Sequence, residues 1–353
     1  MYGRPMNIFL SHHTALQLIR RARLFGCDTQ ILANSQDAIL LRSLKEAISN
    51  RKTSSIVPTS SDVPSVNLFE KMGVFNSQCM DEPIRCNCLP ENRARSKRIM
   101  CYGLKMQTNS FIRVAPRIFV ARPEALIVQM SQCLSETDLT LLAYELCGTY
   151  AYLDETKKNF LGVAKAIELV DIRYAADPVM SATSLKKYLD DQDKPYGLQK
   201  AYKVVANILD YSASPMESRV AMMFVTPSRY GGYGLPHPKL NHSIDFSQVS
   251  SANADKRVCD FYWHDYKFAV EYDSLAFHNS NDNISRDAVR RNELLSKGIA
   301  VFTLTTKQCK NFELFNKQMQ IICKHLGHRF RSESNSKRIA LHKKLFYRSS
   351  AGD

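Results

Sequence analysis

Two short runs, Arg257–Trp263 and Lys267–Asp273, constrain this chain more than any other feature. Both are rich in Val and aromatic residues at alternating positions. Only His264, Asp265 and Tyr266, with Lys267 at the margin, lie between them. The pattern predicts a β-hairpin, though without an Asn-Gly turn. Strand side chains alternate faces, so Glu271 and Asp273 point the same way. A two- or four-residue loop centred between Asp265 and Tyr266 sets Asp260 directly opposite Glu271, at the roughly 5 Å Cβ spacing of paired residues. Three carboxylates then crowd one face.

Crowded carboxylates repel, and burying them uncompensated is costly. Two kinds of compensation are available. Arg286, Arg290 and Arg291 in the following segment can pair with the acids. Alternatively, Asp260, Glu271 and Asp273 can ligate a divalent cation, Mg²⁺ or Mn²⁺. Mg²⁺ takes oxygen ligands, typically one or two carboxylates plus substrate phosphate. Such an ion activates water and stabilises the charge that develops in phosphodiester cleavage. Spacing alone leaves both open.

The neighbourhood adds order. Ser214-Pro215-Met216-Glu217 opens a helix, with Pro215 at an early position and Glu217 in the first turn. After the hairpin come His278, a helix near Ile284–Lys297 stopped by Gly298, a strand Ile299–Leu304, and a helix from Thr306 towards Leu326. Acids on the first helix and the middle strands of this series resemble the PD-(D/E)XK nuclease superfamily. Within it the likeness is to the very-short-patch-repair endonuclease and its relatives. It is carried by Ser214–Glu217, Cys259-Asp260, Ala269–Asp273, Phe277-His278, Arg286-Asp287 and Arg290. Tyr230–Pro236 is similar to a segment of members that carry this domain at the C-terminus. Some of those have N-terminal parts resembling AbiEi-type antitoxins, and Ser11–Leu16 resembles that group.

The resemblance implies a restriction-endonuclease-like α/β domain over residues 210–328, a mixed sheet flanked by helices, acting on DNA with Mg²⁺ or Mn²⁺. Asp260 matches the main metal ligand, Glu271 the second acid and Glu217 the helical acid. Asp273 and His278 match polar catalytic positions. One departure is plain: Asp273 stands two residues after Glu271, where the superfamily has lysine. Either His278 substitutes as the base or cleavage has been lost. Arg286 and Arg290, one helical turn apart, contact phosphate or pair with Asp287 and the acids. The rival reading is a catalytically inactive, antitoxin-like DNA-binding regulator that keeps the nuclease fold.

The chain of 353 residues has 48 Lys and Arg against 34 Asp and Glu, a formal charge of +14 that favours a polyanionic partner. Ahead of the nuclease-like region we expect an α+β region over 1–105 and a mainly helical region over 106–209. That half could bind a protein partner. Helices are expected at His12–Phe25 behind Ser11, Gln36–Ile48, Glu124–Cys133, after a Ser135 cap, Ser181–Asp190 and Gly197–Leu209. Loops and short strands are expected over Lys52–Leu89, and a strand over Phe111–Val120. Gly231, Gly232 and Gly234 lack a Walker lysine and mark a shaped loop. Trp263 belongs to the hairpin core.

Residues 329–353 form a basic tail. Arg329–Arg348 holds seven Lys and Arg against one acid, Glu333. Ile339, Leu341, Leu345 and Phe346 give it an apolar side, predicting a loosely docked amphipathic helix with Arg338, Lys343, Lys344 and Arg348 facing outward to phosphate. No run approaches the ~20 apolar residues of a membrane span. The ten cysteines are scattered, as in a reduced cytosolic protein. Cys79, Cys86, Cys88 and Cys101 lack the paired spacing of a zinc knuckle.

Overall fold

The computed structural model describes residues 6–25, 35–62, 83–93, 95, 98–153, 171–193, 198–245, 256–273, 291–332 and 335–347. The chain divides into two units, Met1–Ala206 and Asn207–Asp353. No helix among the described residues is long and apolar enough to cross a membrane.

The first unit holds a five-stranded mixed sheet in the order β3-β2-β1-β5-β4. Its strands are β1 (Ile8–Leu10), β2 (Ile84–Cys88), β3 (Ile99–Gly103), β4 (Phe111–Ala115) and β5 (Ile118–Ala121). Strand β1 pairs parallel with β5, in register Leu10 to Val120. That pairing joins the two regions that the sequence separates near residue 105. The single strand expected over Phe111–Val120 is instead a hairpin. Pro116 supplies the bend, and Arg117 takes φ +65, the left-handed turn position, so the chain reverses between Ala115 and Ile118. A second pair, β6 (Tyr150–Leu153) with antiparallel β7 (Asp171–Tyr174), lies in the region expected to be mainly helical.

Helices of the first unit are α1 (His12–Leu24), α2 (Ser35–Ser49), α3 (Pro123–Met130), α4 (Glu136–Cys147), α5 (Ala182–Asp190) and α6 (Leu198–Val205). The Ser135 cap forms as expected, its hydroxyl accepting from the Asp138 amide at 3.2 Å. Helix α1 is buried almost all round and carries two buried arginines. Arg20 grips Glu145 of α4 through Nε and Nη2 at 2.7 and 2.6 Å. Arg23 donates to the carbonyls of Glu145 and Gly148, covering acceptors left at the end of α4, and to that of Asp177 beyond β7. Cys86, Cys88 and Cys101 are buried on β2 and β3; burial and then Cys101 push the Cys86 thiol up, and a hydrogen bond with Cys101 and then burial push the Cys88 thiol up. These are inert core positions. Cys79 lies outside the described residues.

The second unit is α/β. Its sheet runs β11-β10-β9-β8, formed by β8 (Lys239–Asp245), β9 (Lys256–Trp263), β10 (Phe268–Asp273) and β11 (Ala300–Thr305). The first three strands are antiparallel neighbours, and β11 returns parallel to β10. The helices are α7 (Pro215–Val225), α8 (Thr306–Lys310), α9 (Phe312–His325) and α10 (Asn335–Phe346). Residues 291–296 are also helical. Phe224 of α7 meets Phe261 at 5.1 Å, and Trp263 is buried with its Nε1 donating to the Pro236 carbonyl at 2.7 Å.

The basic tail is part of this unit. Helix α10 buries Leu341, Leu345, Phe346 and His342, whose Nε2 meets the Cys309 carbonyl at 2.8 Å. Arg338, expected to face outward, is only 1% exposed and lies over Tyr233 at 4.5 Å and Phe330 at 4.8 Å. A guanidinium is flat, weakly hydrated and suited to aromatic faces, so it can take a core position that an ammonium cannot. Lys343 and Lys344 are exposed, as expected, and Arg348 lies outside the described residues.

Close backbone approaches explain two glycines of the run. Gly231 sits at φ +98, and a Cβ there would be 2.4 Å from the Lys337 carbonyl oxygen; at Gly232 it would be 1.9 Å from the Thr226 carbonyl oxygen. Both obstacles are backbone and cannot swing aside. Gly232→Ala is therefore expected to destabilise the second unit by about 3 kcal/mol, at the upper end for overpacking. Urea unfolding measures it, and a loss below about 1 kcal/mol would mean that the turn relaxes around the methyl group.

Candidate functional site

The β9–β10 hairpin has the predicted register, with Trp263 opposite Phe268 and Phe261 opposite Val270. Continued by one residue, it sets Asp260 across from Glu271. The ladder stops there. Strand β9 carries on against β8 as far as Lys256, whereas β10 carries on against β11 as far as Asp273. The two strands fork, and Asp260 stands at the apex. Its Oδ2 accepts from the Tyr272 amide at 2.8 Å, replacing the backbone partner that the opened ladder withdraws.

Glu217 comes to the same place from helix α7. Ser214 caps that helix by accepting from the Glu217 amide at 3.1 Å, and Pro215 fills the first position, where no amide hydrogen is needed. The Glu217 carboxylate is 7% exposed. Its Oε2 accepts from the Ala213 amide at 2.9 Å and from Asn241 Nδ2 at 2.7 Å. Burial first, and then the charge of Asp260, raise the Glu217 pKa against the pull of those donors. The structure thus brings together Glu217 and Asp260, two carboxylates that disfavour each other's charge.

Asn241 was not foreseen. It lies on β8 at φ +46, in the left-handed region that asparagine tolerates better than most residues, and it also donates to the Tyr211 carbonyl at 2.9 Å. The register skips it between the Leu240–Phe261 and His242–Cys259 pairs, directly opposite Asp260. Arg219 was also missed. This α7 residue is 1% exposed; its Nη1 lies 3.5 Å from Met216 Sδ, and its charge acts on Tyr272. An arginine two positions after an acid within an otherwise apolar helix was the available signal.

Glu271 and Asp273 are half-buried on β10. Thr306 braces this strand end, meeting the Tyr272 hydroxyl at 2.9 Å and donating to the Asp273 carbonyl at 3.3 Å. Asp260, Glu271 and Asp273, the three acids expected to share a metal, lie on the neighbouring strands β9 and β10. Among the described residues no three His, Cys, Asp or Glu side chains are arranged to hold a metal ion. Two carboxylates remain, which is within the usual protein contribution to a Mg²⁺ site. His278, Arg286 and Arg290 lie outside the described residues, and Arg338 belongs to the core. Comparison with protein-family models, curated proteins and solved structures returns no match to this chain.

Proposed function

We propose that the second unit is a metal-dependent endonuclease of the PD-(D/E)XK kind, acting on DNA with Mg²⁺ or Mn²⁺. The observation that supports this most is the Glu217–Asp260 pair at the strand fork. Glu217 is buried with its ionisation opposed by burial and by a second carboxylate, and a cation between the two would relieve that opposition. Glu217 and Asp260 would hold the ion, with substrate phosphate and water completing its shell. Bound there, the ion would activate water and offset charge on the phosphoryl oxygens.

The chain's own groups keep this pair in place. Asn241 and the Ala213 amide orient Glu217, and the Tyr272 amide orients Asp260. Such fixed donors maintain ligand orientation in advance of binding. Glu271, across the fork, is the remaining acid of the motif. Asp273 occupies the position of the motif lysine, so the base that accepts a proton from water must come from elsewhere; His278 is the residue the resemblance assigns.

A second reading rests on the same donors. Both carboxylates already accept hydrogen bonds, and a lysine is missing, as in a nuclease fold kept only for binding DNA. Plasmid and mismatched duplex DNA incubated with Mg²⁺ or Mn²⁺ decide between them. Metal-dependent nicking by the wild type that is lost in Asp260→Asn supports the nuclease. DNA binding without nicking under any metal supports the regulator.

A further inference from the structure

The C-terminal helix has a second side that the acid site does not use. Its apolar residues and Arg338 face the core, while Lys337, Lys343 and Lys344 are exposed. Lys337 and Lys344 are seven residues apart, so they lie on one side of α10, about 10 Å from each other. Each end of the helix carries an exposed aromatic ring: Tyr230 at one end is 46% exposed, and Tyr347 at the other is 47% exposed. The Lys337 ammonium donates to the Arg229 carbonyl at 3.0 Å, tying the helix start to that turn. Arg229 in turn lies over the Tyr230 ring at 4.9 Å.

We propose that this edge, from Arg229-Tyr230 along Lys337 and Lys344 to Tyr347, binds single-stranded nucleic acid. Lysines along a line neutralise phosphates, and the tyrosine faces stack unpaired bases, the two elements of strand binding without sequence preference. Charge favours such a partner: residues 306–353 hold eleven Lys and Arg against three Asp and Glu. A lipid surface fits less well, because the helix has already buried Leu341, Leu345 and Phe346 and keeps no apolar face to insert. Duplex DNA offers phosphates but stacks its bases inside, leaving the tyrosines without a role.

The inference does not depend on cleavage, so it is tested in EDTA, where metal chemistry is silent. Fluorescence anisotropy compares a labelled oligo(dT), a blunt duplex of equal length, and vesicles of phosphatidylserine and phosphatidylcholine. Single strand is expected to bind best. Tyr230→Ala and Tyr347→Ala should each weaken oligo(dT) binding about tenfold, with the salt slope unchanged. Lys337→Glu with Lys344→Glu should instead flatten that slope by about 1.4, at about 0.7 per phosphate on a single strand. Thermal melts check that the variants stay folded. If Lys337→Glu disturbs its tie to Arg229, Lys344→Glu alone should still flatten the slope by about 0.7. Tyrosine variants that bind oligo(dT) like the wild type, a preference for duplex, or binding to vesicles alone would each overturn the proposal.

Discussion

Acidification from pH 7 to pH 5 is expected to remove about 4 kcal/mol from the stability of the first unit. His12 and His13 open helix α1, and both are buried. Burial first, and then the Arg85 guanidinium, lower His12 to about 3 and His13 to about 2, with His12 and Arg20 adding to the effect on His13. Both rings are therefore neutral in the folded chain at pH 5. In the unfolded chain each takes up a proton below about pH 6.5. A folded pKa below the unfolded one means that the stability is fully present above 6.5 and is lost as pH falls towards the folded values. At pH 5 the gap is about 1.5 units, or about 2 kcal/mol for each ring. This is a large share of the 5–15 kcal/mol that holds a typical domain together. The window lies above the range in which ordinary carboxylates titrate, so the loss belongs to histidine. Urea unfolding monitored at several pH values should show the slope of uptake of about two protons. A flat profile between pH 6.5 and 5 would show that the rings are charged in the fold or escape burial.

The second large effect concerns the acid pair. Asp260→Asn keeps an acceptor for the Tyr272 amide but removes the charge that raises Glu217. Without metal, the variant is therefore expected to be at least as stable as the wild type. With metal the order should reverse. At a hundred times its dissociation constant, a cation that binds only the folded state stabilises the wild type by about 2.7 kcal/mol. The variant should lose most of that increment, and metal-dependent nicking should fall by about a thousandfold, the scale of losing one catalytic charge stabiliser. The opposite signs separate this from simple damage. A variant less stable without metal, yet equally stabilised by it, would place the metal site elsewhere.

The hairpin and its acids were legible because strand alternation and a short connection are local properties. Arg257–Trp263 and Lys267–Asp273 leave little freedom of register once one face must be buried. The Ser135 cap and the helix start at Ser214–Glu217 were legible for the same reason, since such a signal is read within four residues. The tail helix was legible as a helix, but the side taken by Arg338 was not. Its position beneath Tyr233 and Phe330 depends on rings brought in from other parts of the unit.

What the sequence determined by itself was the set of local pieces: a β-hairpin bearing Asp260, Glu271 and Asp273, a capped helix bearing Glu217, and an excess of positive charge towards the C-terminus. Their arrangement came from pairing at long range. β1 chose β5 as its parallel partner more than a hundred residues away, merging two regions of differing composition into one unit. Helix α7 meets β8 where Asn241 donates to Glu217, and that contact sets Glu217 within reach of the Asp260 charge. Periodicity records which face a residue prefers, but the partner that satisfies each backbone and buried charge is settled only when distant segments meet.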